Sequence, residues 1–254
     1  MKNVIMIHVS PHEIDQYQTF IYHLRRSLDI IPEQDRKDLL FIPYLNLSSY
    51  LYNWNKSWIQ PEFFKNKFKV LNKIIEQKIE VGPQIVVSEG FSGKILGALS
   101  YKAEYIKKYK SQASTFIWFD CDVWFSEYLL ITLIEAQNRI LPGIKYVITP
   151  EIVRLWDTTW DIITNEQYLN REANHETYFS FDPFTLSDNT EQTPELVENT
   201  GGVKFASGWG NMLSSNLFDD ISLEGLGHYG VDDTFIMNAM DILRSKGQNY
   251  KQYI

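Results

Sequence analysis

The chain is poor in cysteine, in long apolar runs and in net positive charge, and each shortage argues against a class of protein. Cys121 is the only cysteine among 254 residues. It cannot form a disulfide within the chain, so we expect a reducing compartment, the cytoplasm. The first apolar run, residues 4–9, is too short and too interrupted for a signal or a membrane span, and no later run reaches that length. The formal net charge of −8 argues against unaided binding to nucleic acid.

Apolar and aromatic residues are abundant, at 44% and 15% of the chain, which is enough for a large core. At this length we expect one α/β domain, because two separate cores would be small. Residues 3–9 and 39–45 read as buried strands on either side of a helix over residues 14–28, which is the start of a βαβ unit. Helices at 64–79, 94–109, 129–140 and 232–243 and strands at 85–87, 116–120, 145–149 and 203–206 extend this to a mostly parallel sheet flanked by helices.

The apolar run Phe116 to Phe119 leads directly into Asp120, and Asp122 follows two positions later. Such a run predicts a strand buried on both faces, and an unpaired buried carboxylate is costly. The two acids should therefore lie at the solvent-open end of the strand or hold a cation. Carboxylates suit Mg²⁺ or Mn²⁺, which proteins often bind together with substrate phosphates. The pattern thus indicates either a metal–diphosphate site or a strand-end turn with two solvated acids.

Three other segments combine glycines or acids with a predicted element boundary. Gly90 and Gly93 separate a strand from a helix, where they form either a phosphate-binding loop or an ordinary turn. The stretch 208–212 allows a tight backbone path beside a ligand and contains Trp209, a flat apolar surface. Asp232 and Asp233 precede the last apolar helical face, so they are either helix caps or functional acids. In addition, the polar stretch 184–202 is a candidate mobile lid or acceptor loop.

The order of these motifs resembles the GT-A-fold nucleotide-sugar glycosyltransferases, particularly the family-two-like group. Those enzymes carry Asp-x-Asp on a mid-domain strand, a later Gly-Asn-Met-like strand, and an acidic pair opening a C-terminal helix. Here the three motifs lie at 119–122, 208–213 and 229–233, within a resemblance that spans about 3–245. It implies a metal-dependent, inverting enzyme that transfers a sugar from a nucleoside-diphosphate donor to a hydroxyl of a carbohydrate or glycoconjugate. Within a single domain of residues 1–254, about 1–125 would bind the nucleotide sugar and about 126–254 the acceptor.

The resemblance also implies residue roles. Asp120 would contact the ribose or donor sugar, and Asp122, with Asp120, would bind Mn²⁺ or Mg²⁺. Asp232 and Asp233 would supply the general base and orient the acceptor, although the family's usual Glu-Asp is Asp-Asp here, which leaves the base open. His228 would be a third metal ligand. The remaining donor and acceptor wall would comprise Ser10, Pro11, Gly90, Gly93, Trp209, Gly210 and Asn211. This division of labour suits the chemistry, since a diphosphate leaving group needs its charge neutralised and an acceptor hydroxyl needs a base.

Three alternatives share some of these features. A haloacid-dehalogenase-like phosphohydrolase also uses Asp-x-Asp, with the first Asp as covalent nucleophile, but normally on its first strand. A nucleotidyltransferase has a related fold, but its opening strand leads into a glycine-rich phosphate loop that residues 10–13 lack. A catalytically silent carbohydrate-binding relative is the third, and the presence of both acid pairs argues against it.

Overall fold

A computed structural model describes residues 3–47, 61–76, 84–90, 98–125, 127–150, 153–154, 196–200, 210–224 and 232–253. In chain order, its strands are β1 Asn3–Val9, β2 Leu39–Asn46, β3 Gln84–Ile85, β4 Ser88–Gly90, β5 Thr115–Asp120, β6 Val123–Trp124, β7 Lys145–Ile148, β8 Val153–Arg154, β9 Gly210–Ser214 and β10 Tyr250–Tyr253. Its helices are α1 Ile14–Ile30, α2 Glu33–Arg36, α3 Pro61–Glu76, α4 Ala98–Tyr109, α5 Leu129–Arg139 and α6 Asp232–Ser245, with 3-10 helices at Pro11–Glu13 and Ser215–Asp219.

Eight strands form one sheet in the order β10-β7-β9-β5-β1-β2-β3, with β4 also pairing with β2. Every pairing is parallel except those of β9, which runs antiparallel between β5 and β7. β6 and β8 form a separate two-stranded ribbon. The prediction of an α/β domain with a mostly parallel sheet flanked by helices is therefore confirmed.

Two apolar cores cover the two faces of the sheet. Ile5 and Ile7 of β1 face a core that includes residues of α1, α3 and α5. Val4 and Met6, which alternate with them, face a second core built with α4, α6 and the 3-10 helix at Ser215–Asp219. All four β1 side chains are fully buried. This two-sided burial is the reason that β1 is a continuous apolar run rather than an alternating one.

The sequence predicts one strand at residues 85–87 followed by a loop or turn at 88–93, and the boundary at 87/88 is wrong. Gln84–Ile85 pairs with Leu40 and Phe41, whereas Ser88–Gly90 forms a second strand beside the end of β2. Pro43 lies in β2 between these two paired segments. Proline has no backbone N–H to donate, and the interruption of the neighbouring strand falls at this position. β10 was not predicted at all, and the strand predicted at 203–206 lies outside the described residues.

Along the described parts of the chain, no helix combines the length and the apolar character needed to cross a membrane.

Candidate active site at the carboxyl edge of the sheet

The carboxyl ends of β1, β2, β4 and β5 meet at one edge of the sheet because these strands are parallel. Near that edge, His8 of β1 pairs with Asp120 of β5. On the other side of β1, Asn46 of β2 pairs with Gly90 of β4. Open α/β sheets bind their ligands outside the carboxyl ends of the strands. This edge is therefore the candidate site, and it contains the acid-bearing end of β5.

The two predicted metal ligands differ in exposure. Asp120 is the last residue of β5 and is partly exposed, while Asp122, in the turn before β6, is only 4% exposed. Within the described ranges, no group of three or more His, Cys, Asp and Glu side chains is arranged to hold a metal ion. Carboxylates at the end of β5 still fit Mg²⁺ or Mn²⁺, since such ions commonly take one or two carboxylates and complete their shell with substrate phosphates and water. The donor set thus suits a cation that binds together with a diphosphate.

Glu13 is a third carboxyl group at this position. It ends the 3-10 helix after β1, and the Ser10 backbone N–H donates to its Oε2 at 3.1 Å. The Cys121 Sγ lies 3.7 Å from the same oxygen. Burial, and then the charge of Asp120, raise the pKa of Glu13 to about 7, against the opposing effect of its hydrogen bonds. Glu13 therefore exchanges its proton near neutral pH, beside the acid pair.

The sequence indicates the local hydrogen bond of Glu13 but not its position beside the acid pair. Ser10 and Glu13 have the Ser-x-x-Glu spacing of a capping box, which predicts the hydrogen bond between them. The contact between Glu13 and Cys121 joins residues 108 positions apart and depends on the pairing of β1 with β5. Burial raises the pKa of Cys121 well above its ordinary value, so this residue is a neutral thiol packed against Glu13.

An aromatic stack lies beside the acids on the face covered by α4, and the sequence did not indicate it. The rings of Tyr44 and Tyr101 are parallel, with centroids 4.5 Å apart. His8 stacks against Tyr101 at 5.6 Å, and its Nε2 lies 3.3 Å from the Asn46 Nδ2. His8 is partly exposed, whereas both tyrosines are buried. The stack fixes the His8 ring beside Asp120.

β9 brings a distant part of the chain to this edge. Because β9 is antiparallel, its first residues rather than its last lie here, and Gly210 and Asn211 stand opposite Phe119 and Trp118. Asn211 is buried, and its Oδ1 accepts a hydrogen bond from the Thr149 Oγ1 at 3.0 Å. This hydrogen bond connects the start of β9 to Thr149, the residue that follows β7.

The predicted acidic pair occupies the first turn of α6. This helix leads through Gly247, which has a φ of +78°, into β10, and β10 is parallel to β7. A helix that packs on the sheet and runs into a parallel strand begins near the carboxyl edge, so the backbone of Asp232 and Asp233 starts on the side of the site. Their side chains lie outside the described part.

The other predicted residues divide into two groups. Ser10 and Pro11 are buried directly after β1, and Gly90 ends β4, so all three lie along the candidate edge. Gly93, Trp209 and His228 lie outside the described residues. Of the proposed lid at 184–202, only 196–200 is described, and there Asn199 hydrogen-bonds the backbone and side chain of Gln252 in β10.

No protein-family model matches the chain, and no curated protein matches it. Among solved structures, it is similar to S. aureus TarS 1–349, with a TM-score of 0.53 and 9% identity over 99% of this chain and 58% of that chain. A proposed nucleotide-diphospho-sugar transferase from Desulfovibrio desulfuricans G20 gives a TM-score of 0.41 and 10% identity, covering 99% and 80% of the two chains. A proposed glucose-1-phosphate thymidylyltransferase from Bacillus anthracis, in complex with a sucrose, gives 0.46 and 12%, covering 99% and 86%. The last two similarities are too distant to support an inference.

The chain has a GT-A-like fold, the fold of TarS. This assignment confirms the family resemblance at the level of the fold. The chain spans 58% of the TarS chain that it matches, and at 9% identity the similarity extends to architecture and not to activity.

Proposed function

We propose that the protein is a metal-dependent glycosyltransferase that moves a sugar from a nucleoside-diphosphate donor to a hydroxyl of a carbohydrate or glycoconjugate. One observation carries this proposal: Asp120 and Asp122 lie at the carboxyl end of a central strand in a GT-A-like sheet. That edge is where open α/β sheets bind ligands. We also expect a cytoplasmic location, on the ground of the single cysteine.

The donor would bind across the ends of β1, β4 and β5. Asp120, partly exposed, would contact the ribose or the donor sugar, and Asp122 would hold the cation. A bound divalent cation supplies charge neutralisation for the departing diphosphate. Ser10 and Pro11 after β1 and Gly90 at the end of β4 border the same edge, so they would line the nucleotide pocket, with Gly93 beyond them. Gly210 and Asn211 would form the opposite wall with Trp209, and His228 is the proposed additional metal ligand.

The acceptor step requires a base, because a hydroxyl is a poor nucleophile at neutral pH. Asp232 or Asp233 would take the acceptor proton while the C–O bond to the diphosphate breaks, and attack from the opposite face would invert the anomeric centre. The start of α6 on the side of the carboxyl edge supports this role.

The test is thermal unfolding with a panel of nucleoside diphosphates and nucleotide sugars, each with and without Mn²⁺. A ligand at about 100 times its Kd stabilises by about 2.7 kcal/mol, which raises the Tm by roughly 5–10 °C for a chain of this size. We expect such a rise for one nucleotide, only when Mn²⁺ is present. Asp122→Asn should abolish it, since the change removes the charge while preserving the shape of a buried side chain.

Asp219→Asn is the matched control, because Asp219 is an exposed acid in the 3-10 helix and pairs with Lys110 at 2.7 Å, outside the candidate site. This variant should keep the full shift. No shift with any nucleotide, together with hydrolysis of a generic phosphate ester, would favour the phosphohydrolase. A shift with sugars alone would favour the carbohydrate-binding relative.

A further inference from the structure

The charged side chains that the structure describes include two buried ones, and they have opposite signs. Asp122 is 4% exposed and Lys102 is 2% exposed. A buried charge is costly unless an opposite charge or hydrogen bonds compensate for it. Lys102 has no part in the activity proposed above.

Lys102 lies close to the acid-bearing end of β5. Its Nζ is 4.6 Å from the centre of the Trp118 ring, in a cation–π arrangement. Trp118 and Asp120 are two positions apart on β5, so their side chains share one face and their Cα atoms are separated by about 7 Å. These distances put the ammonium within roughly 10 Å of the Asp120 carboxylate. Lys102 is therefore near enough to affect the charge at Asp120 and at a cation bound there.

The carboxyl groups at this edge outnumber the buried cations. Asp120 and Asp122 are two positions apart in the sequence, and Glu13 interacts electrostatically with Asp120. We propose that Lys102 is a positioning residue whose ammonium, held over Trp118, is the built-in countercharge of the acid pair and opposes the entry of a divalent cation. This proposal rests on the metal-dependent function proposed above and adds a condition to it.

The condition concerns the order of binding. While the Lys102 ammonium offsets the charge of the acids, a divalent cation without nucleotide binds Asp120 and Asp122 less favourably than it would bind the same two carboxylates in the absence of Lys102. A nucleoside diphosphate brings negative charge that attracts both the ammonium and the cation. The site should therefore bind metal weakly alone and tightly together with the diphosphate.

The experiment measures free Mn²⁺ by electron paramagnetic resonance, without nucleotide, for the wild type and for Lys102→Met. Removing one positive charge at about 10 Å from a divalent ion should tighten Mn²⁺ binding about ten-fold or more. Lys102→Arg keeps the charge and should bind like the wild type. Lys107→Met is the matched control, since Lys107 lies on the same helix, is exposed and pairs with Glu224. It removes the same unit of net charge and should leave Mn²⁺ affinity unchanged.

The direction of the change separates this role from a structural one, because loss of packing would weaken Mn²⁺ binding. Adding Asp122→Asn to Lys102→Met should remove the gain. Unchanged, weaker or undetectable Mn²⁺ binding by folded Lys102→Met would overturn the proposal, as would equal tightening in Lys107→Met. If Lys102→Met does not fold, Lys102→Gln provides the same comparison. If this inference fails but the Tm of the wild type still rises with Mn²⁺ and a nucleotide, the proposed glycosyltransferase function stands and only the role of Lys102 is refuted.

Discussion

The raised pKa of Glu13 predicts an unusual pH dependence of stability. In the unfolded chain this carboxyl titrates near its ordinary value of 4.5, whereas in the folded protein it titrates at about 7. Between these values the folded state retains a proton that the unfolded state has lost. The free energy of unfolding must therefore fall as pH rises through this range. The contribution is complete below pH 4.5 and absent above pH 7.

The magnitude follows from the size of the shift. A difference of about 2.5 pKa units corresponds to about 3 kcal/mol. Since part of the Glu13 residue is exposed, solvent screening reduces this to roughly 1–3 kcal/mol. Glu13→Gln keeps an oxygen that can accept the Ser10 N–H but removes the titration. Between pH 5 and pH 8, the variant should therefore gain roughly 1–3 kcal/mol relative to the wild type.

The assay is urea unfolding followed by tryptophan fluorescence at pH 5 and pH 8, with EDTA to exclude metal ions. Using the difference between the variant and the wild type cancels the other titrating groups. Glu135→Gln, at an exposed position of α5, is the control and should show the same pH dependence as the wild type. A constant difference between Glu13→Gln and the wild type, or a difference of opposite sign, would refute the reasoning about Glu13.

Two further predictions concern α1. Burial, and then Arg26, lower the pKa of His23 to about 4, so the free energy of unfolding decreases as pH falls from 6.5 toward 4. His23→Gln should lose this acid sensitivity when unfolding by urea is measured across that pH range. The same pH dependence in the variant and the wild type would contradict the assignment to His23. The Tyr17 hydroxyl donates a hydrogen bond to the buried Asn72 Oδ1 at 2.6 Å, so Tyr17→Phe should lower the free energy of unfolding by about 1–3 kcal/mol. Tyr22→Phe, at an exposed position, should lower it little. Equal losses in the two variants would count against a stabilising role of this hydrogen bond.

The elements that sequence reasoning predicted correctly are those whose own residues determine their form. β1 is a continuous apolar run, and α1 repeats its buried residues at helical spacing from Ile14 to Leu28. Both patterns are local, because burial on two faces of a strand or on one face of a helix leaves a period in the sequence. The position of Asp120 at the end of β5 is predictable for the same reason, since it ends the apolar run of that strand.

The elements that were missed depend on neighbours. Ser88–Gly90 has the composition of a turn but pairs with the end of β2, and β10 consists of tyrosines, a lysine and a glutamine held against β7. Glu13 has an ordinary position after β1 in the sequence and becomes a member of the site only through the pairing of β1 with β5. Strand partners and charge clusters between distant residues leave no period in the sequence.

The arrangement of strand lengths has a consequence for association between chains. The outermost strands of the main sheet are short: β3 has two residues, β4 three and β10 four, whereas β1 and β2, in the interior, have seven and eight. The outer side of β10 is also met by Glu198, which bridges to Tyr253. Exposed strand edges are the template on which proteins add foreign strands and aggregate. Along the described strands, this sheet offers another chain only short rows of backbone N–H and C=O groups, because β3 and β4 lie along the outer side of β2 and β10 ends the other side of the sheet.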